Sequence, residues 1–339
     1  MRTGVGLVLG KFYPPHRGHV YLCEFAAAHV ERLHVVVGTL ARETIPGGLR
    51  HAWMCELVPQ AHVHHLRDEN PQDPSEHPEF WSIWRASLRR VLPEPVDLVF
   101  ASEPYGARLA QELGARFVPV DIDRSALGLS GSAVRADPLA AWGALPRVVR
   151  PYFVRRVCLV GPESTGKTTL ARTLARSFDT AWVPEYARAY LAQPRVAPGG
   201  ALASTEPPPL VPDDFVHIAR GQAASEEALA REARKVLVCD SDALTTALYA
   251  QELVGTVPAE VAERADTARY DLTLLTAPDV PFVPDPQRFL PHTRQRFFDR
   301  CRAELEARGR AFVVLRGDWD ERLATAQAAV DALLSTTRP

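Results

Sequence analysis

The sequence has few cysteines, little net charge and no long apolar run. Its five cysteines, Cys23, Cys55, Cys158, Cys239 and Cys301, are scattered and form no CxxC pair, and no Cys/His spacing suggests zinc. A formal net charge of −2 excludes a global basic field that would attract nucleic acid or anionic lipid. We therefore expect free, mostly buried thiols, and any phosphate must be bound at local sites.

The amino terminus carries no pattern typical of a signal peptide, because residues 1–10 run straight into a short apolar strand. No apolar run approaches the roughly 20 residues that a membrane-spanning helix needs. We therefore expect a soluble, cytoplasmic protein without membrane insertion. Its 339 residues, of which 46% are hydrophobic, suffice for two domains with ordinary cores.

The first half alternates short apolar strands with helices. Strands are predicted at 5–9, 33–38, 97–101 and 116–120, with helices at about 18–30 and 105–113. This β–loop–α–β order predicts a parallel sheet with crossover helices.

The same scheme restarts at 157–160, after a proline-containing stretch over 137–156 that we predict to be helical. Further strands are predicted at 235–239, 272–276 and 312–316. A segment rich in proline, glycine and alanine, 193–214, predicts a surface loop. We expect an α/β protein of two domains, 1–150 and 151–339, each with its own parallel sheet.

The first motif is GKFYPPHRGH, residues 10–19, which directly follows the first strand and opens a helix. Ligands of open parallel sheets bind at the carboxyl ends of the strands, so the motif stands where a site is expected. Gly18 leaves room for close approach of a nucleotide. Transfer of an adenylyl group needs donors of positive charge around the phosphates, and His16, His19 and Lys11 are suitable. Alone, the histidine pair could instead be a helix cap.

A second element, LSGSAVR, places Ser130 and Ser132 before a helix and Arg135 one turn inside it. This arrangement suits the β- and γ-phosphates of ATP. A Ser-x-Ser pair alone would be no more than a helix cap. Together the two elements resemble the signatures of the HxGH nucleotidyltransferases, GxFxPxHxGH and ISxTxxR, with Leu129 and Ser132 as conservative departures.

The second motif is GPESTGKT, residues 161–168, between an apolar strand and a helix. It is a complete GxxxxGK[ST] P-loop in the required context. In such a loop the backbone N–H groups cradle phosphates, Lys167 reaches the β- and γ-phosphates, and Thr168 binds Mg²⁺. The predicted nucleotide-binding residues are Gly161, Ser164, Thr165, Gly166, Lys167, Thr168 and Thr169.

Carboxylates and arginines elsewhere in the second half extend this hypothesis. Asp240 ends a strand where a Mg²⁺-binding acid is expected, whereas Asp242 could bind the metal or cap the next helix. Glu185 could accept the proton of an attacking hydroxyl or bind ribose hydroxyls. Arg188 could hold that acid or a phosphate, and a surface ion pair is the alternative for both.

Three further arginines, Arg288, Arg294 and Arg296, suit either a lid over ATP or a solvated helix face. In the first half, Trp81 and Trp84 lie three residues apart and so share one helical face. Indole rings there could stack on a flat pyridinium cation, or they could belong to the core.

An HxGH nucleotidyltransferase joined to a P-loop kinase resembles the NadR-type proteins, which are nicotinamide-nucleotide adenylyltransferases and ribosylnicotinamide kinases. The resemblance extends over nearly the whole chain and includes GKFYPPHRGH, the tryptophan pair, PEYAR at 184–188 and CDSD at 239–242. It implies a Rossmann-like nucleotidyltransferase sheet followed by a P-loop NTPase sheet.

The resemblance also implies two reactions. The second domain would phosphorylate the 5′-hydroxyl of nicotinamide riboside. The first would transfer AMP from ATP to the mononucleotide, which gives NAD and pyrophosphate. ATP and Mg²⁺ would be the cofactors. Gly10, Phe12, Gly18, Ser130 and Ser132 would bind ATP, and Trp81, Trp84, Glu185, Tyr186 and Arg188 would bind substrates, with Trp81 the favoured stacking residue.

Some members of this family carry an amino-terminal helix-turn-helix, but the first strand here begins at Val5. We therefore expect no DNA binding and only small-molecule partners, and leave the formation of a homo-oligomer open. Two alternatives stay open at this point. The chain could be a nucleotide or NAD sensor with little turnover, or it could perform both reactions on another nucleoside or phosphorylated acceptor.

Overall fold

The computed structural model describes residues 4–193 and 209–336. Its Cα positions divide into two compact units, and the boundary falls between Val149 and Arg150. In the first unit the elements are β1 Val5–Gly10, α1 Arg17–His29, β2 Arg32–Gly38, α2 Gly47–Leu57, β3 His62–Leu66, α3 Phe80–Val91, β4 Leu98–Ala101, α4 Tyr105–Leu113, β5 Arg116–Pro119 and α5 Gly131–Ala136.

Within the described residues, the first unit contains one five-stranded sheet of order β3-β2-β1-β4-β5. All its neighbouring strands pair in parallel. The chain builds outward from β1 in one direction through β2 and β3, and then in the other direction through β4 and β5. The carboxyl end of β1 is therefore the switch point of the sheet, where a ligand crevice is expected.

The central strand β1 is short and continuously apolar because both faces of the sheet are covered. Val8 packs with Cys23 and Ala26 of α1 on one face. Leu7 packs with Leu88 and Leu109 on the other face. This packing fixes the position of the loop that leaves β1 at Gly10.

In the second unit the elements are α6 Arg150–Phe153, β6 Arg155–Val160, α7 Lys167–Ser177, β7 Trp182–Val183, α8 Tyr186–Leu191, α9 Pro212–Ala230, β8 Val236–Asp240, α10 Ala243–Val254, α11 Ala259–Thr267, β9 Leu272–Thr276, α12 Arg294–Ala307, β10 Phe312–Leu315 and α13 Trp319–Leu334. A second five-stranded sheet, again counted over the described residues, has the order β10-β9-β6-β8-β7. All its strands are parallel.

The core of the second unit joins the sheet to α7 and α13. Val157 and Leu159 of β6 pack with Leu170 and Leu174 of α7 and with Val330 of α13. The first turn of α7 is thereby held at the carboxyl end of β6, directly after the glycine-rich loop.

The predicted fold class, α/β with two parallel sheets, is confirmed. Two local predictions need correction. The stretch 137–156 is not one helical segment, because it contains only a 3₁₀ turn at Trp142–Ala144 and the short α6 before β6 begins at Arg155. Most of the predicted loop 193–214 lies outside the described residues, but its end is helical from Pro212 onward.

All five cysteines are free thiols, and Cys55 is the exposed one among them. Burial raises the pKa of Cys23 and of Cys301 to about 12. These buried thiols are therefore protonated and unreactive at neutral pH.

Candidate active sites

The loop between β1 and α1 brings His16 and His19 together. His16 is the N-cap of α1, and its Nδ1 accepts a hydrogen bond from Gly18 N at 3.1 Å. His19 Nδ1 accepts from His16 N at 3.3 Å, and the two ring centroids are 3.7 Å apart. The predicted capping role is therefore real, yet it leaves the second nitrogen of each ring available.

These hydrogen bonds fix the protonation of both rings. Because each Nδ1 accepts from a backbone N–H, each neutral ring must carry its proton on Nε2. Burial lowers the pKa of His16 to about 4, and the charges of Arg124 and Arg135 act in the same direction. Burial, His16 and Arg135 lower the pKa of His19 well below its ordinary value. The histidines are thus neutral N–H donors, not the positively charged donors that the sequence suggested.

The second element reaches the same place. Ser130 caps α5 by accepting from Ala133 N, and its hydroxyl lies 3.2 Å from that of Ser132. A Cβ added to Gly131 would lie 3.6 Å from His16 Nε2. Arg135 Nη1 donates to Tyr13 O at 2.7 Å, so the two motifs are in direct contact.

Lys11, which is itself exposed, pairs with a buried carboxylate that sequence analysis missed. Its ammonium lies 3.4 Å from Glu43 Oε1, and Glu43 also pairs with Arg50. Arg50 is fully buried and donates to Lys11 O at 2.6 Å and to Ile45 O at 3.2 Å. The guanidinium groups of Arg50 and Arg135 both lie 5.0 Å from the centroid of the Tyr13 ring.

The two motifs of the first unit line one cavity of about 570 Å³, a size suited to a nucleotide or dinucleotide. Its lining includes every first-domain residue predicted to act: Gly10, Lys11, Phe12, His16, Gly18, His19, Trp81, Trp84, Ser130, Ser132 and Arg135. Arg124 also lines the cavity. No motif marks that arginine in the sequence, since it stands alone in a loop.

The two tryptophans pack against the core and also line the first cavity. Trp81 and Trp84 lie on α3 and pack against the apolar cluster of the sheet, and both also line the cavity. Trp84 Nε1 donates to Pro71 O at 2.8 Å, which fixes its ring as a wall. One face of Trp81 is approached by Arg108, whose guanidinium lies 5.9 Å from the ring centroid.

The loop of the second motif has the strained backbone of a phosphate cradle. Gly161 has a φ of 139°, Ser164 of 57° and Gly166 of 83°. A Cβ on Gly161 would lie 2.5 Å from Thr276 Oγ1, so that only glycine fits against β9 there. Lys167 Nζ donates to Gly161 O at 2.9 Å and to Pro162 O at 2.8 Å. The ammonium is therefore held over the loop.

The second cavity, of about 370 Å³, lies above this loop. Its lining includes Ser164, Thr165, Gly166, Lys167, Thr168, Thr169, Glu185, Arg188, Asp242 and Arg288. Gln222, Tyr249 and Asp285, which the sequence did not single out, also line it.

Asp240 fits a Mg²⁺-holding role. It is fully buried, and neither of its carboxylate oxygens has a hydrogen-bond partner in the described part of the chain. Burial and the charge of Glu185 raise its pKa to about 6, while the Thr168 hydroxyl and the Lys167 ammonium act in the opposite direction. An orphaned buried carboxylate beside a hydroxyl is a suitable partial donor set for a hard cation.

Asp242 has a different environment. Its Oδ1 accepts from Thr245 N at 2.8 Å and from Thr245 Oγ1 at 2.9 Å, which caps α10. Its Oδ2 accepts from Arg310 Nη1 at 2.9 Å. Both oxygens are therefore engaged, and the structure favours the capping alternative over a metal role.

The segment PEYAR lies at the end of β7, across the cavity from the glycine-rich loop. Glu185 Oε2 lies 3.5 Å from Arg188 Nε, and Arg188 Nη1 donates to Asp285 Oδ2 at 3.2 Å. Tyr186 does not line the cavity as Glu185 and Arg188 do, because its ring lies on the backbone of α9 at Gly221.

The three predicted lid arginines divide into different environments. Arg288 lines the cavity and lies 3.4 Å from Ser164 Oγ. Arg294 donates to Glu163 O, Ser164 O and Val280 O, each at 3.0 to 3.2 Å, and so ties the loop to the following segment. Arg296 is exposed and pairs with Glu252 of α10. The solvated-face alternative therefore describes Arg296, and Arg288 alone of the three lines the cavity.

Comparison with known proteins finds one family model and several relatives. The AAA domain family matches residues 156–322. The chain is 29% identical over 355 aligned positions to the Trifunctional NAD biosynthesis/regulator protein NadR of Escherichia coli (strain K12), across 98% of this chain and 84% of the relative. It is also 29% identical to the protein of that name from Salmonella typhimurium, across 85% of this chain and 72% of the relative.

Two solved structures have the same fold. A NadR protein in complex with NR superposes with a TM-score of 0.76, and a NadR protein in complex with NAD and AMP-PNP with a TM-score of 0.77. Each is 22% identical and covers 99% of this chain, with 97% and 98% of the solved chain covered in turn. Over almost its whole length the chain is therefore similar to the NadR proteins in sequence and in fold.

Proposed function

We propose that the chain makes NAD in two ATP-dependent steps. The second domain phosphorylates the 5′-hydroxyl of nicotinamide riboside, and the first domain transfers AMP from ATP to the resulting mononucleotide and releases pyrophosphate. One observation carries this proposal: each parallel sheet has its own phosphate-binding constellation facing its own cavity. The relatives' names refer to NAD biosynthesis, and the two solved NadR structures are complexes with NR and with NAD and AMP-PNP; both facts support the choice of substrates.

In the first domain the protein acts by orientation and electrostatics. The attacking group is a phosphate oxygen of the mononucleotide, which needs no strong base, so the barrier lies in the charge that moves onto pyrophosphate. The Nε2–H groups of His16 and His19 donate to the reacting phosphate without carrying charge. Lys11 and Arg135 supply the positive charge, and the hydroxyls of Ser130 and Ser132 bind the leaving phosphates.

In the second domain the glycine-rich loop grips the β- and γ-phosphates of ATP and Lys167 neutralises their charge. Glu185 accepts the proton of the riboside hydroxyl, and Arg188 orients that carboxylate through their ion pair. Thr168 and Asp240 would hold Mg²⁺, which supplies positive charge to the transferring phosphoryl group. Among the described residues there is no cluster of three metal-binding side chains, so the remaining ligands would be phosphate oxygens and water.

We further propose that the enzyme works in the cytoplasm on small molecules alone. No helix in the described ranges is long and apolar enough to cross a membrane. The net charge of −2 also provides no general attraction for nucleic acid.

The decisive experiment is to incubate purified protein with ATP, Mg²⁺ and nicotinamide riboside and to separate the products by chromatography. We expect nicotinamide mononucleotide to accumulate first and NAD and pyrophosphate to follow. Parallel incubations with other nucleosides test the acceptor. No consumption of ATP with any acceptor would instead support a nucleotide sensor, and mononucleotide without NAD would contradict the function given to the first domain.

A further inference from the structure

Gln222 connects the two strand ends that carry the acidic residues of the second site. It is almost fully buried in α9, with 4% of its surface exposed. Its Oε1 accepts from Tyr186 N at 3.0 Å, and its Nε2 donates to Ser241 O at 3.3 Å. Tyr186 directly follows Glu185, and Ser241 directly follows Asp240. One side-chain amide therefore bridges the backbone next to both carboxylates.

The orientation of this amide is determined by its partners. The backbone N–H of Tyr186 can only donate, so Oε1 must face it and Nε2 must face Ser241 O. Glu226 Oε1 lies 3.5 Å from the same Nε2 and accepts from the Tyr270 hydroxyl at 2.8 Å. Arg156 pairs with Glu226 at 3.4 Å. Behind Gln222 stands a buried network that keeps its amide in this orientation.

The segment around Glu185 needs such a tether. It follows β7, an edge strand of only two residues, Trp182–Val183. The side chain of Glu185 makes no capping bond to α8. The like charges of Glu185 and Asp240 also repel each other. The ion pair with Arg188 comes from the same segment, so only a bond from another element can hold the segment against this repulsion.

Gly221, the residue before Gln222, allows the segment that contains Tyr186 to pack closely on α9. A Cβ on Gly221 would lie 2.1 Å from Tyr186 Cε1 and 2.4 Å from its Cδ1. The Tyr186 ring therefore rests on the helix backbone, which only glycine permits. Adjacent positions of α9 hold the ring and the backbone N–H of one residue.

We propose that Gln222 is a positioning residue for phosphoryl transfer: it holds Glu185 beside Asp240 at the spacing that proton transfer from the acceptor hydroxyl requires. The proposal rests on the kinase function proposed above. It predicts an effect on the rate of the chemical step rather than on ATP binding, because the glycine-rich loop makes no bond to Gln222.

The first test is the Gln222→Leu variant, which keeps the approximate volume but removes both hydrogen bonds. At saturating riboside we expect kcat for mononucleotide formation to fall by about tenfold to a hundredfold, with KM for ATP within about twofold of wild type. Gln251→Leu is the matched control, since Gln251 is exposed on α10 and its side-chain amide donates to Gly255 O. NAD formation from supplied mononucleotide reports on the first domain of the same protein.

The second test is the Gln222→Glu variant, whose protonated side chain can accept from Tyr186 N and donate to Ser241 O as the amide does. Ionised, it would instead present an oxygen to the Ser241 carbonyl and a charge to Glu226. Burial raises the pKa of a carboxyl at this place, so kcat of the Gln222→Glu variant relative to wild type should rise as the pH falls from 8 to 6. Burial raises the pKa of Glu226 to about 7, and its titration affects both variants, so Gln222→Leu is the control and its ratio should change less than that of Gln222→Glu.

Three outcomes would overturn the positioning role. The first is a wild-type kcat in Gln222→Leu. The second is a raised KM for riboside at unchanged kcat in that variant, which would mean that Gln222 contacts the substrate directly. The third is a ratio of Gln222→Glu kcat to wild-type kcat that does not depend on pH. If Gln222→Leu loses ATP binding through misfolding, the pH dependence of kcat in Gln222→Glu becomes the test of the positioning role. Failure of the wild-type protein to phosphorylate riboside would refute the kinase function itself, which is a separate result.

Discussion

At the scale of single residues, the histidine pair acts through its hydrogen-bond geometry rather than through charge. Both Nδ1 atoms are occupied by backbone N–H groups. The buried surroundings and nearby arginines keep the rings neutral at physiological pH. Each ring therefore presents a fixed N–H donor to the cavity, and such a preorganised donor needs no rearrangement during the reaction.

This gives a prediction about pH. His19→Gln keeps an N–H donor near the place of Nε2 but cannot titrate, whereas His19→Ala loses the donor. Because the pKa of His19 lies well below 6.5, the ring stays neutral from pH 6 to pH 8. The ratio of wild-type to His19→Gln values of kcat/KM for adenylyl transfer should then be constant over that range, because kcat/KM reports the pKa values of the free enzyme.

The phosphates of the substrates also titrate, but they affect wild type and His19→Gln equally, so their contribution cancels in the ratio. His19→Ala should be slower than His19→Gln by about tenfold or more, because it lacks a donor to the reacting phosphate. A ratio of wild type to His19→Gln that falls as the pH rises through 6.5 would show that the imidazolium form is the active one.

A second residue-scale prediction concerns Arg50. Its guanidinium is fully buried and bonds to Glu43, Lys11 O and Ile45 O. Arg50→Met would leave the carboxylate of Glu43 and two carbonyls without this partner. We expect the free energy of unfolding of the first domain to fall by about 3 to 5 kcal/mol, as measured by denaturant titration.

Arg90→Ala is the matched control in the same domain. Arg90 also pairs with a carboxylate, Asp68, but its side chain is 63% exposed. Exposed pairs contribute up to about 1 kcal/mol, so this variant should unfold close to wild type. Equal losses in both variants would contradict a special role for the buried pair.

At the scale of elements, the strand–loop–helix units explain why the motifs form sites. In each unit the central strand is buried on both faces, which fixes its carboxyl end, and the following loop begins there. The second loop depends on Gly161, whose φ of 139° and contact with Thr276 admit no side chain.

Gly161→Ala should therefore distort the loop and abolish riboside phosphorylation, which product chromatography would measure. Gly255→Ala is the control that separates the steric clash of an added Cβ from the cost of a positive φ. Gly255 also has a positive φ, of 74°, but a Cβ there meets nothing within 4 Å. Gly255→Ala should cost about 1 to 2 kcal/mol of stability and leave kcat unchanged. Retained kinase activity in Gly161→Ala would contradict the cradle role of this loop.

The sequence predicts the elements that are apolar and long, and it misses those that other parts of the chain stabilise. Strands β1, β2, β4, β5, β6, β8, β9 and β10 were each predicted within about two residues of their ends. Strand β3, with the sequence HVHHL, was missed because histidines replace its apolar residues. Strand β7 was missed because two residues carry no periodicity and pair only by virtue of β8.

The same division applies to the sites. Residues within a motif could be predicted because a short loop fixes their relative positions. Arg50, Glu43, Arg124 and Gln222 could not, since each acts through contacts with residues distant in sequence. Asp242 is the opposite case, because its position after a strand predicts a metal ligand. Only the contact with Arg310, which is distant in sequence, shows that both of its oxygens are engaged.

At the scale of the whole molecule, the two proposed reactions are consecutive, because the product of one is a substrate of the other. The product of riboside phosphorylation is the acceptor of adenylyl transfer, and both reactions use ATP. Each cavity is lined by residues of one domain only. The two activities should therefore be separable by single substitutions in one domain.

Lys167→Ala removes the ammonium that is held over the second loop. The rate of riboside phosphorylation should fall by about a hundredfold or more. NAD formation from supplied mononucleotide should stay intact. His19→Ala should do the converse, so that mononucleotide accumulates from riboside and no NAD follows. Each variant is thus the folding control for the other, because each retains one activity in the same chain. If either substitution removed both activities, the two cavities would have to act as one site, and the assignment of one reaction to each sheet would be wrong.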